Sequence, residues 1–111
     1  MKYFSEPFRV KYSDTDQMGF MHHSNYLKFF ENARISWLRE LGVSYKKIEQ
    51  DGVLMPVASS SLKHIKPAFF DDELIIQIGI EKLPKASLEF NYKILNQNKD
   101  LICEGHTKIA F

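Results

Sequence analysis

From Ser24 to Leu41, apolar side chains recur at helical spacing over about 18 residues, a stretch ~27 Å long as a helix. At about 100° per residue, Tyr26, Phe29, Phe30, Ala33, Trp37, Leu38 and Leu41 fall on one broad sector. Asn25, Lys28, Asn32, Ser36 and Arg39 gather opposite. A sector this wide and aromatic must be taken out of water, so the pattern predicts a helix largely wrapped by other structure. Ser24 suits the N-cap, and Gly42 suits the left-handed position just past the last turn.

The remaining chain tells what does the wrapping. Phe8, Val10 and Tyr12 alternate with Arg9 and Lys11, as in a short opening strand. A weaker helix is expected over Ser44–Gln50. Beyond Leu54 the period becomes two, predicting strands over Val57–His64, Glu73–Leu83, Ser87–Asn96 and Asp100–Phe111. Their apolar sets include Leu74, Ile76, Ile78 and Ile80, then Leu88, Phe90, Tyr92 and Ile94. Turns over Leu83–Ala86 and Asn96–Lys99 are too short for a crossover, so the strands they join must be antiparallel neighbours. A strand of about nine or ten residues spans ~30 Å, matching the helix. The expectation is an α+β fold, one long central helix in the concave face of a curved antiparallel sheet of about five strands.

Composition narrows the function classes. With 111 residues the chain suits a single domain over 1–111, large enough for one core. Fifteen basic against fourteen acidic residues imply no nucleic-acid groove from net charge. A lone cysteine, Cys103, excludes an internal disulfide framework and a Cys-rich zinc site, and its alternation suggests that it packs inward. Met1–Pro7 lacks the apolar run of a secretion signal, and no stretch approaches the ~20 apolar residues of a membrane span, so a cytoplasmic protein is expected.

The segment from Tyr12 to Tyr26 is the most unusual. It sets Asp14, Asp16, Gly19, His22 and His23 directly before the long helix. A helix N-terminus offers unpaired N–H groups and partial positive charge, which polarise a carbonyl oxygen or hold an oxyanion. A carboxylate nearby can attack that carbonyl or deprotonate a water that does. Gly19 allows a substrate close approach to the backbone. Two other readings stay open: turn hydrogen bonds from Asp14 and Asp16, or a metal held by Asp14, Asp16, His22 and His23.

The run Asp14-Thr15-Asp16, Gly19 and Phe20-Met21-His22-His23-Ser24-Asn25-Tyr26, followed by Phe30-Glu31-Asn32-Ala33-Arg34, resembles hotdog-fold acyl-CoA thioesterases of the 4-hydroxybenzoyl-CoA thioesterase and YbgC-like branch. Pro67-Ala68, Asp71-Asp72-Glu73-Leu74 and the ending Gly105–Phe111 extend the likeness over nearly the whole chain. The resemblance implies the hotdog fold and hydrolysis of a thioester to free acid and CoA. It gives Asp16 the role of nucleophile or general base. His23 stands where the first helical N–H polarises the thioester carbonyl, with an imidazole contribution open. Tyr12, Asn25 and Tyr26 match positions that shape the site. No metal or redox cofactor is implied. Homodimers joined edge to edge, commonly paired into homotetramers, are implied, with sites at the subunit interface and acyl-CoA or acyl-carrier protein as substrate. Two alternatives are a hydratase or dehydratase acting on acyl thioesters, and a non-catalytic module binding acyl-CoA or acyl-carrier protein.

Other residues carry weaker signals. Ser59, Ser60 and Ser61 lack a nucleophile elbow and suggest room for a narrow pantetheine arm. Lys63, Lys66, Lys82 and Lys85 are candidates to meet CoA phosphates, Lys85 foremost. Arg34 projects into the apolar helix face and is expected to pair with Glu31 three residues earlier. His64 and His106 are expected at the rim or surface.

Overall fold

The computed structural model describes residues 2–54, 56–80 and 87–110. Its elements run β1 (Lys2–Phe4), β2 (Phe8–Arg9), a short 3₁₀ turn (Tyr12–Asp14), α1 (Ser24–Glu40), α2 (Tyr45–Gln50), β3 (Val57–His64), β4 (Glu73–Ile80), β5 (Ser87–Leu95) and β6 (Leu101–Ala110). The sheet is antiparallel, curved and unclosed, in the order β1-β4-β5-β6-β3, with β2 also pairing β4. β1 and β2 act as one interrupted edge row: Lys2–Phe4 pair with Gln77–Gly79, and Phe8–Arg9 pair with Glu73–Leu74.

The opening strand is shorter than its alternation suggests. Val10 still bonds across to Asp71 and Asp72, but the chain then coils into the 3₁₀ turn, leaving Tyr12 78% exposed. α1 ends one residue before Leu41, which is exposed rather than packed. Gly42, at φ +85°, closes the helix while Val43 N–H donates to the Leu38 carbonyl. Ser24 is the first helical residue, not the cap. Both its N–H and its hydroxyl meet Nδ1 of His22 (3.2 and 2.8 Å). Ser44 does cap α2, accepting from the Lys47 N–H. The expected β4 end at Leu83, the turn Leu83–Ala86 and Phe111 lie outside the described residues.

Sheet and helix bury one another as their periods require. Leu74, Ile76, Ile78, Phe90, Tyr92 and Ile94 face Tyr26, Phe30, Ala33 and Trp37, and all are buried. The Phe30 and Tyr92 rings stack at 4.4 Å. Gly105 of β6 makes that approach possible, since a Cβ there would overlap the Phe30 ring. The helix is covered on one face only; Leu27, Lys28, Glu31 and Asn32 remain exposed. No described helix is long and apolar enough to cross a membrane.

The expected Arg34–Glu31 pair does not form. Arg34 is 3% exposed and turns across the core, donating from Nη1 to the Tyr92 hydroxyl at 3.0 Å, while Glu31 stays at the surface. Side chains three apart share a helix face only when both lean along it, and burial draws the guanidinium inward instead.

Candidate functional site

The loop before α1 is built by its own carboxylates. Asp14 Oδ2 accepts from the Lys11 N–H at 3.0 Å, and the Asp14 carbonyl accepts from the His22 N–H (2.7 Å) and Asn25 Nδ2 (2.9 Å). Two residues on, Asp16 folds a tight turn. Its carbonyl accepts from the Gly19 N–H, its N–H donates to the Phe20 carbonyl, and its Oδ1 accepts from the Met18 N–H at 2.8 Å and the Phe20 N–H at 3.4 Å. Gly19 adopts φ +81°, the left-handed conformation that this turn needs. Met21 then donates to the Ala68 carbonyl at 2.7 Å, tying the loop to the chain beyond β3.

These bonds leave two groups free. Among the described residues, Oδ2 of Asp16 has no hydrogen-bond or ion-pair partner, and neither has the backbone N–H of His23 at the tip of α1. Both residues line one cleft of about 310 Å³. Its walls come from Asp16–His23 on one segment and from His64, Ile65, Lys66 and Pro67 on another, with Tyr26 between them. Burial, reinforced by the nearby Cys103 thiol, pushes the Tyr26 phenol up to about 12, so it stays neutral. Larger depressions lie on the outer sheet face (about 430 Å³, with Lys2, Asn91 and Lys93) and beside β1 and β2 (about 340 Å³, with Tyr3, Phe8 and Phe29). Neither reaches the helix tip.

Of the residues singled out in the sequence, Asp16, His23 and Tyr26 thus come together. Asn25 anchors the loop through its bond to Asp14, and Gly19 shapes the turn. Tyr12 lies apart, its ring edge-on to Phe70 at 5.5 Å. The three serines divide. Ser60, paired with buried Thr107, lines a second cleft of about 250 Å³ with Leu27, Lys28, Glu31, Arg34 and Val57, whereas Ser59 and Ser61 pair with Lys108 and His106. Lys66 sits at the main cleft and holds Asp100 at 3.6 Å. Lys82 and Lys85 lie outside the described residues. Asp14 Oδ2 accepts from the Lys11 N–H, and His22 Nδ1 accepts from the Ser24 N–H. Among the described residues no three His, Cys, Asp or Glu gather to hold an ion.

His64 is exposed, as its place at the end of a strand suggests, and it lies at the rim of the cleft. It pairs with Cys103 at the end of β3, and its ring stands edge-on to Tyr26 at 4.9 Å, lining the cleft. His106 makes an ion-pair contact with Glu89 at 3.2 Å, away from the cleft.

Known proteins share this fold and much of this sequence. A family model described as the thioesterase-like superfamily matches residues 10–111. The acyl-CoA thioester hydrolase YbgC of Escherichia coli O157:H7 is 33% identical over 107 residues, covering 96% of this chain and 80% of that protein. The acyl-CoA thioesterase YbgC of Haemophilus influenzae is 30% identical over 108 residues, covering 96% and 79%. The crystal structure of DHNA-CoA thioesterase from Staphylococcus aureus superimposes with a TM-score of 0.93 at 28% identity, covering 98% of this chain and 72% of that one. Fold and sequence agree: the chain is a hotdog-fold member of the thioesterase-like superfamily.

Proposed function

We propose that this protein hydrolyses acyl-CoA thioesters to the free acid and CoA. The thioester carbonyl oxygen takes the His23 N–H at the positive end of α1, where charge develops as the carbon becomes tetrahedral. Asp16 attacks the carbonyl carbon or takes a proton from the water that does. Tyr26 floors the site; Met18, Phe20 and Met21 offer apolar surface to the acyl group. The observation that carries this reading is the free Oδ2 of Asp16 sharing a cleft with the free N–H of His23. The activities named for the relatives support it.

The same proposal includes self-association. β3 is an open sheet edge with every residue but Leu62 exposed, and a second copy pairing there would lie beside the cleft at His64. Dimers of this kind can pair further into tetramers. Residence in the cytoplasm belongs to the proposal too, and a buried free thiol at Cys103 suits that reducing compartment.

The test is Asp16→Asn assayed on a panel of short, long and aromatic acyl-CoAs. Asparagine keeps an oxygen for the turn bonds to Met18 and Phe20, so the loop survives; alanine would remove them. Turnover should fall by about 10²–10⁴-fold. Wild-type turnover in the Asn variant would overturn the assignment.

A further inference from the structure

His64 adds to the cleft a proton donor that the reaction can use. Expelling a thiolate is slower the less acidic its thiol, and the CoA thiol is an ordinary alkyl one. A donor placed to protonate the sulfur as the C–S bond breaks lowers that barrier. Four titratable side chains besides Asp16 line the cleft: His23, Tyr26, His64 and Lys66. Tyr26 holds its proton too tightly near neutral pH. Lys66 is directed to Asp100 by their 3.6 Å ion pair. His23 presents its backbone N–H to the carbonyl oxygen, and its ring lies against the His22 ring at 4.2 Å. His64 sits at the end of a strand, exposed on one side, with the Tyr26 ring edge-on at 4.9 Å. The groups around it are Tyr26 from α1, Cys103 from β6, Asp16 and His23 across the cleft, and Lys66 beyond it.

We propose that His64 is the general acid of the reaction, giving its proton to the departing thiolate; this rests on the hydrolytic reading above. Water bonds through oxygen to the carbonyl carbon while Asp16 takes its proton. The tetrahedral adduct then collapses, the C–S bond breaks, and sulfur receives the proton of the His64 imidazolium. The proton on Asp16 returns to His64, so one thioester and one water leave as one acid and one thiol. If Asp16 attacks directly, His64 protonates the same sulfur, and the neutral imidazole then serves the water that opens the anhydride.

The experiment compares wild type, His64→Ala and His64→Gln on an acyl-CoA and on the thiophenyl ester of the same acid, whose leaving thiol is far more acidic. The His64 variants should lose about 100-fold in kcat on the CoA ester and under about threefold on the thiophenyl ester. Wild-type kcat should show an alkaline limb that both variants lack. Equal losses on the two esters, or recovery of activity by glutamine, would overturn the acid role while leaving Asp16 in place. Absence of wild-type hydrolysis on either ester, or Asp16→Asn matching wild type, would instead remove the hydrolytic reading and His64's role with it.

Discussion

The Arg34 guanidinium reaches the Tyr92 hydroxyl at 3.0 Å, and that hydroxyl lies 2.7 Å from Oγ1 of Thr107, so a buried charge meets one neutral hydroxyl on β5 that is itself bonded to a second on β6. Nε of Arg34 has no partner, and the Phe90 ring lies 5.9 Å from the guanidinium carbon. A buried donor with so little compensation makes its one acceptor valuable. Tyr92→Phe should therefore destabilise the protein by roughly 2–3 kcal/mol in urea unfolding. Arg34→Met should cost less, because it removes the charge together with its need. The reverse order would show that the hydroxyl contributes nothing to holding the charge.

Why this pair escaped the sequence is physical. Arg34 and Tyr92 are 58 positions apart, and only the β4–β5–β6 register brings them together. Periodicity reports which face a residue occupies, so α1 and the inward rows of β4 and β5 were legible; position before the helix marks the whole loop of Asp14, Asp16, His22 and His23, and only the resemblance singles out Asp16 and His23 within it. Periodicity does not report which strand a residue meets. His64 lines the cleft because β3 pairs with β6 up to Cys103, and Tyr12 leaves the sheet because local turn bonds, between Lys11 and Asp14 and from Thr15 to the Tyr12 carbonyl, compete with strand pairing.

Alkaline pH should unfold the protein through two buried acids. Burial pushes the Cys103 thiol from 9.0 up to about 11 and the Tyr26 phenol from 10.0 up to about 12. Both protons are held more tightly in the folded chain. Their contribution is therefore complete below pH 9, declines as pH rises past the unfolded values, and is gone above the folded ones. Urea midpoints should be unaffected by these groups near neutrality and fall from pH 9 upward. Cys103→Ala, although less stable overall, should show a shallower decline between 9.0 and about 11. An equally steep decline would mean that the thiol is not what couples folding to pH there.

The open edge of β3 predicts association. Val57 (49% exposed) on that strand and Leu27 (40% exposed) on α1 flank the Arg34 cleft, and no described strand pairs with β3 on that side. An unprotected edge beside exposed apolar side chains invites a second copy, whose strand would complete the hydrogen bonding and cover both. Light scattering at micromolar concentration should give at least twice the 13.0 kDa chain mass. Leu27→Lys places a charge on the exposed side of α1 without touching the core, so it should shift the mass toward a single chain while thermal unfolding stays cooperative. Wild type remaining monomeric at that concentration would remove the interface. It would also require the cleft at Asp16 and His64 to work without a neighbouring subunit beside it.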